Sequence, residues 1–204
     1  MNLESVEIKK NPFIHILINN FFNKEEYDNI WKELIFLQLK MLPASMTGSS
    51  SDSDGTFRKK NMGLFLNHFY ADSKTSLILN LMNSKMLCLQ FKKLISSIDD
   101  LYYKLYDNIN FSGTLVQSYT NGDYYKTHAD DAIFSSTLCL HKNPKKFEGG
   151  MIHFPKYDYY IDLEDNQLLL FPSPLEHRVT QVKMKSSDAT NGRFTITNFY
   201  YNSR

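Results

Sequence analysis

The stretch Tyr119-Thr-Asn-Gly-Asp-Tyr-Tyr-Lys-Thr-His128-Ala-Asp130 follows a β-rich run and ends in a His-x-Asp pair. Residues i and i+2 of an extended segment point to the same side, so His128 and Asp130 can reach one ion from the end of a strand. A third candidate ligand, His177, comes far downstream, after the β run Gln167–Phe171 and the turn Pro172-Ser-Pro174, where it can sit on a facing strand. Two imidazoles and one carboxylate on one face of a metal, with the other positions open, form the ligand set of a mononuclear non-haem iron site. His-x-Asp alone is weak, and each histidine taken singly is more simply a core or surface residue, so the surroundings must carry the reading.

Downstream and upstream of that stretch the chain changes character. Thr114–Tyr119, Ser136–Leu140, Met151–Phe154, Tyr159–Leu163, Leu168–Phe171, Val179–Val182 and Phe194–Tyr201 are short β-rich runs, separated by Gly, Pro, Asn and Asp at the spacing of an all-β sandwich or barrel. Before them, Ile14 to Ile18 reads as a strand and Asn23 as the N-cap of a helix, with Glu25 and Glu26 in its first turn. Phe22 and Tyr27 are placed to staple that turn, and Tyr27, Ile30, Trp31, Leu34 and Ile35 predict one buried stripe. Met62–Leu66 reads as a strand. Asp72 to about Asn108 is helical in pattern, with a break expected near Asn83-Ser84. The tract 45–56 is small and polar and reads as a mobile connector or a lid, and Arg58-Lys-Lys60 as a solvated run with some attraction for an acidic substrate. Helices first and strands second predict helices buttressing the outside of a β-sandwich.

Arg193 opens the last strand, so Arg193, Thr195 and Thr197 share one face while Phe194 and Ile196 point the other way. A guanidinium on an inward face is costly to bury without an anion, and a small dicarboxylate would supply one through a bidentate pair.

Composition narrows the class. At 204 residues the chain is most simply one domain with a sizeable core. A net charge of +1 and the absence of extended basic runs give no support to a nucleic-acid partner. Cys88 and Cys139 sit in apolar surroundings and read as buried free thiols, which fits a reducing compartment. No signal-peptide layout is present at the N-terminus and no apolar run approaches the ~18 residues of a membrane span, so a cytoplasmic, soluble protein is expected.

Taken together, these segments resemble the iron(II)- and 2-oxoglutarate-dependent dioxygenases, in the prolyl-4-hydroxylase-like branch. Leu115–Asp130 resembles that branch's pre-ligand strand, Gly-containing turn and His-x-Asp. Ser136–Leu140 followed by Lys145-Lys-Phe-Glu148-Gly149-Gly150-Met-Ile-His-Phe154 is similar to its next strand and Glu-Gly-Gly hairpin. Leu168–Val182 resembles the segment with the distal histidine, and Gly192-Arg193-Phe-Thr195 the cosubstrate-anchoring strand. Asn20-Phe-Phe-Asn-Lys-Glu-Glu is similar to the family's lead into its first helix. Two departures stand out. Arg193 follows His177 by 16 residues (193 − 177), longer than the family's usual gap, and the polar stretch Lys183–Asn191 accounts for the excess. Leu138 and Leu140 occur where relatives often place a tyrosine for the cosubstrate carboxylate, so part of the pocket is expected to be built differently.

The resemblance implies a mostly β fold with buttressing helices. Its core would be a double-stranded β-helix (jelly roll) over about 111–204, with N-terminal helices over about 1–110 packed outside the major sheet. It implies that His128, Asp130 and His177 bind Fe(II), that Arg193 pairs with the distal carboxylate of 2-oxoglutarate with help from Thr195, that Tyr119 faces the cosubstrate, and that Tyr125 lines the entrance near the metal. Dioxygen would be the oxidant, with ascorbate as a reductant, and succinate and CO2 would be released as an unactivated C–H bond is hydroxylated. By analogy alone the substrate is a prolyl or other peptide or amino-acid side chain, with loops 45–60 and 183–192 as its determinants. Asp123, Asp131, His141 and His153 are expected to have no direct role. A zinc-dependent cupin-like hydrolase would use the same three ligands but leaves Arg193 and Thr195 without a task. A non-catalytic β-sandwich interaction protein would not need the ligand set at all.

Overall fold

The computed structural model describes residues 5–47, 51 and 54–202. In chain order the elements are β1 (Val6–Lys9), β2 (His15–Ile18), α1 (Lys24–Gln38), β3 (Leu42–Pro43), β4 (Lys59–Lys60), β5 (Met62–Phe65), α2 (Leu66–Phe69), α3 (Leu77–Met86), α4 (Leu89–Ser96) and α5 (Leu101–Lys104). The second half supplies β6 (Phe111–Tyr119), β7 (Tyr124–His128), β8 (Phe134–Leu140), β9 (Ile152–Phe154), β10 (Tyr159–Ile161), β11 (Gln167–Pro172), β12 (His177–Val179) and β13 (Arg193–Tyr201). Two antiparallel sheets result: an eight-stranded major sheet in the order β1-β2-β11-β8-β13-β6-β5-β3, and a five-stranded minor sheet in the order β10-β9-β12-β7-β4. This is a double-stranded β-helix with helices laid on the outer face of the major sheet. Among the described residues no helix is long and apolar enough to cross a membrane.

The helix α1 starts where the sequence says it should. The Asn23 side chain accepts from the Glu26 N–H at 2.9 Å and Glu26 reaches back to the Asn23 N–H at 2.9 Å, a reciprocal cap worth about 1 kcal/mol. The buried stripe is Ile30, Leu34 and Leu37, with Tyr27 and Trp31 partly covered beside it. Ile35 departs from expectation and is 48% exposed, because the contact face is narrower than the run of apolar residues. The break in the later helical stretch also moves. Asp72 caps only a short 3-10 turn, Ser76 caps α3, and the chain bends at Leu87-Cys88 and again at 97–100. Three short helices therefore replace two, each turned to lay an apolar face on the sheet.

Alternation along the central strands divides the molecule. In β8, β13 and β6 the registers Leu138↔Ile196↔Val116 and Leu140↔Phe194 place these side chains on the helix side, where all five are fully buried. The intervening residues, Thr137↔Thr197 and Cys139↔Thr195↔Gln117, face the minor sheet. Leu138 and Leu140 thus belong to the helix-side core and do not face the position expected for a cosubstrate-binding tyrosine. On β8 the inward positions are Ser135, Thr137 and Cys139.

Candidate active site

Between the sheets lies a cavity of about 470 Å³. Three of its wall residues converge: His128, Asp130 and His177 each offer a ligand atom, all within 4.8 Å of one another. His128 ends β7 and His177 begins β12, directly opposite it in the minor sheet. The expected run Val179–Val182 starts earlier than its sequence pattern, at His177, so the histidine lies in the strand and takes its direction from the ladder. The Nε2 atoms of His128 and His177 lie 3.5 Å from the two oxygens of Asp130, one each.

Hydrogen bonds settle which ring nitrogens face inward. Nδ1 of His128 is 2.9 Å from the Lys126 carbonyl and Nδ1 of His177 is 2.9 Å from the Leu175 carbonyl. A carbonyl only accepts, so both Nδ1 atoms carry the proton and both Nε2 lone pairs point at the site. Burial pushes the His177 imidazole down to about 4, against the opposing pull of Asp130, so it stays neutral and able to ligate at neutral pH. Burial works to raise Asp130, but the two facing imidazoles and the Ser135 hydroxyl hold it below the usual carboxylate range. Ser135 donates to Asp130 Oδ2 at 2.6 Å and lies 2.7 Å from the Ser173 hydroxyl, while the Asp130 N–H donates to the Ser173 carbonyl at 3.1 Å. One carboxylate and two inward-facing imidazole Nε2 atoms form a site suited to a divalent first-row metal.

Arg193 lies in the same cavity, 2% exposed, and neither terminal guanidinium nitrogen has a hydrogen-bond partner among the described residues. Tyr119, directly opposite in β6, places its ring 5.3 Å from the guanidinium carbon. Burial raises the Tyr119 phenol well above its ordinary value, so it stays protonated, and Gln117 Nε2 donates to its oxygen at 3.2 Å. The same Gln117 accepts from Thr195 at 3.4 Å. A buried guanidinium aimed into a cavity without an anion is a demand for one, and a carboxylate meets it in a bidentate pair.

The Glu148-Gly149-Gly150 turn has a physical reason here. Both glycines adopt positive φ, +72° and +71°. A Cβ on Gly149 would stand 2.1 Å from the Gln181 carbonyl oxygen, and one on Gly150 would stand 2.7 Å from Arg193 Cδ. Gly149 therefore admits a neighbouring backbone and Gly150 admits the arginine.

All seven residues singled out from the sequence line this cavity: His128, Asp130, His177, Arg193, Thr195, Tyr119 and Tyr125. Tyr125 stacks on the His128 ring, centroids 3.6 Å apart and planes 11° from parallel. His153 is satisfied elsewhere, between Arg178 at 2.8 Å and Asp158 at 3.2 Å, under the ring of Tyr160. Sequence reasoning missed Ser135, Gln117 and Lys59. For Gln117 the signal was available, since it precedes Tyr119 by two in an alternating strand. Lys59 was read as part of a solvated run with some attraction for an acidic substrate but is buried, its two-residue strand β4 pairing with β7 at the edge of the minor sheet.

Residues 114–201 match the family model described as the 2OG-Fe(II) oxygenase superfamily. A PKHD-type hydroxylase of Parvibaculum lavamentivorans is 37% identical over 82 residues, covering 36% of this chain and 37% of that protein. The chain thus spans little more than a third of the length of the curated relative it matches. Among solved structures, a Pseudomonas putida prolyl-4-hydroxylase superposes with a TM-score of 0.61 at 15% identity, covering 93% of each chain. A viral collagen prolyl hydroxylase from Paramecium Bursaria Chlorella virus-1 superposes with a TM-score of 0.58 at 16% identity, covering 93% of this chain and 96% of that one. The sequence match covers the β-helix core, with the triad and the arginine inside the matched span, so residues 114–201 are similar to the 2OG-Fe(II) oxygenase superfamily, and the fold is the one these prolyl hydroxylases share.

Proposed function

We propose that the protein is an Fe(II)- and 2-oxoglutarate-dependent hydroxylase that inserts one oxygen atom of O2 into an unactivated C–H bond and releases succinate and CO2. One observation carries this reading: a buried arginine with both terminal nitrogens unpartnered shares a cavity with a two-histidine, one-carboxylate cluster. A metal-only enzyme leaves that guanidinium unexplained.

The residues present fit both groups. His128 and His177 would bind Fe(II) through their Nε2 atoms and Asp130 through a carboxylate oxygen. Arg193 would hold the distal carboxylate of 2-oxoglutarate, Thr195 would add a hydroxyl, and the Tyr119 phenol would face the cosubstrate. When bound, the metal and cosubstrate supply the oxidising chemistry, and the protein supplies binding, orientation and a dry cavity. The Nδ1–carbonyl bonds keep both imidazoles in the ligating tautomer. Tyr125 covers one face of His128 at the entrance and limits the approach of water. Ascorbate would serve as a reductant, the compartment would be cytoplasmic, and the substrate is proposed to be a prolyl or other peptide or amino-acid side chain.

The test is spectroscopic. Fe(II) and 2-oxoglutarate added without oxygen should produce a visible charge-transfer band in the wild-type protein and none in His177→Ala. An absent wild-type band, or an undiminished band in the variant, overturns the reading. Mass spectrometry for the gain of one oxygen atom across candidate substrates then identifies what is hydroxylated.

A further inference from the structure

Lys59 and Lys60 are neighbours with opposite fates. Lys60 is exposed, and its ammonium lies 3.8 Å from Asp123. Lys59 is 5% exposed and lines the cavity. In the β4–β7 ladder it stands directly opposite Tyr125, and residues so paired project from the same face of a sheet. Its ammonium donates to the Thr47 carbonyl and lies 5.7 Å from the centre of the Tyr125 ring, the ring that stacks on His128. The buried charge is therefore one aromatic ring away from the metal-site histidine. Among the described residues no carboxylate pairs with it.

A charge count over the cavity shows what is missing. Fe(II) brings two positive charges, Asp130 one negative, 2-oxoglutarate two negative and Arg193 one positive, which sum to zero, and Arg58 and Asp131, which also line the cavity, cancel each other. Lys59 is left as one surplus positive charge. Burial lowers its pKa to about 8, so it is still charged at neutral pH. An ammonium kept in a cavity without a counter-ion is costly, and the cost is recovered when an anion arrives. Phe65, Leu115 and Phe199 line the same cavity and offer an apolar wall for the rest of the arriving molecule.

We propose that Lys59 recognises a carboxylate of the substrate, so that the molecule hydroxylated carries an acid group on a short apolar stem. This rests on the oxygenase reading above and names the substrate class of the same site. The carboxylate belongs either to a free amino acid or to an acidic side chain in a peptide, and the test separates the two.

The experiment starts from protein loaded with Fe(II) and 2-oxoglutarate without oxygen, with the charge-transfer band as proof of loading. A missing band refutes the oxygenase reading and leaves nothing for Lys59 to serve. With the band present, calorimetric titration compares free amino acids with their α-carboxamides, and end-blocked peptides containing Asp or Glu with their Asn or Gln counterparts. The expected result is a preference of roughly tenfold for the acid member of one set, lost in Lys59→Met and kept in Lys59→Arg. Equal binding of acid and amide, no binding by any acid, or a preference that survives Lys59→Met overturns the proposal. A 2-oxoglutarate midpoint raised more than a few-fold by Lys59→Met would assign the ammonium to the cosubstrate and overturn it as well.

Discussion

The two faces of the major sheet come from the same strands and differ by one residue of register. On the helix side, Leu138, Leu140, Phe194, Ile196, Val116 and Leu168 are fully buried among apolar neighbours. On the other side, one residue along, lie the buried Arg193, Thr195, Thr197 and Gln117 and the half-buried Thr137, all facing a cavity. The first face is packed with apolar side chains. On the second, Gln117, Thr195, Thr197 and Thr137 bond to one another, while both terminal nitrogens of Arg193 are without a partner among the described residues. Packing is concentrated on one face and the proposed binding groups on the other, so substitutions on the two faces should separate into different phenotypes.

The largest expected effect is on the packed face. Leu138→Ala removes a fully buried side chain and should cost about 2–5 kcal/mol in denaturant unfolding, while folded protein keeps its 2-oxoglutarate midpoint. Comparable loss of the midpoint would break the comparison. On the cavity face, Lys59→Met should stabilise the protein, and the sign with pH follows from linkage. The folded-state pKa of Lys59 is about 8 against 10.5 for the ordinary group, so the burial penalty is fully present below pH 8 and fades as pH rises toward 10.5. Lys59→Met should therefore exceed wild type by up to roughly 3 kcal/mol below pH 8, with the gap narrowing by pH 9.5. A pH-independent gap would place Lys59 among ordinary packing residues. Arg193→Met should weaken 2-oxoglutarate by about 10–100-fold, read from the charge-transfer band, without lowering stability. A large drop in melting temperature would mean the guanidinium is structural.

The smallest effect divides two adjacent glycines. Gly150→Ala strains a left-handed backbone and also pushes on the Arg193 side chain, so besides a stability cost it should raise the 2-oxoglutarate midpoint by roughly threefold, an amount below the loss of a charge-assisted bond. Gly149→Ala instead meets a backbone carbonyl and should act on stability first. Interchanged outcomes would place the arginine's support elsewhere.

Much of the fold and the triad was legible in the sequence, because local patterns decide them: the Asn23 cap, the β-rich second half, the i, i+2 spacing of His128 and Asp130, and the alternation that turns Arg193 and Thr195 together. What was not legible depends on pairing. In Phe134–Leu140 both faces are buried, so alternation cannot say whether Leu140 or Cys139 looks at the site, and only the register with β13 and β11 decides. Lys59 lies in a charged run that looks solvated, and its burial comes from pairing with a strand more than sixty positions on. The helix breaks at Leu87-Cys88 and 97–100 carry no glycine or proline, the residues by which a break is read from sequence. Part of the tract 45–56, at 48–50 and 52–53, lies outside the described residues.

The serine relay behind Asp130 has a mechanical consequence. His128 and His177 belong to the minor sheet, while Asp130 is tied through the Ser135 hydroxyl to a strand of the major sheet. An ion held by all three would act as a clasp across the sandwich. Spreading the two sheets and letting go of the ion would then be one motion, and the clasped form would gain stability with the logarithm of free metal concentration.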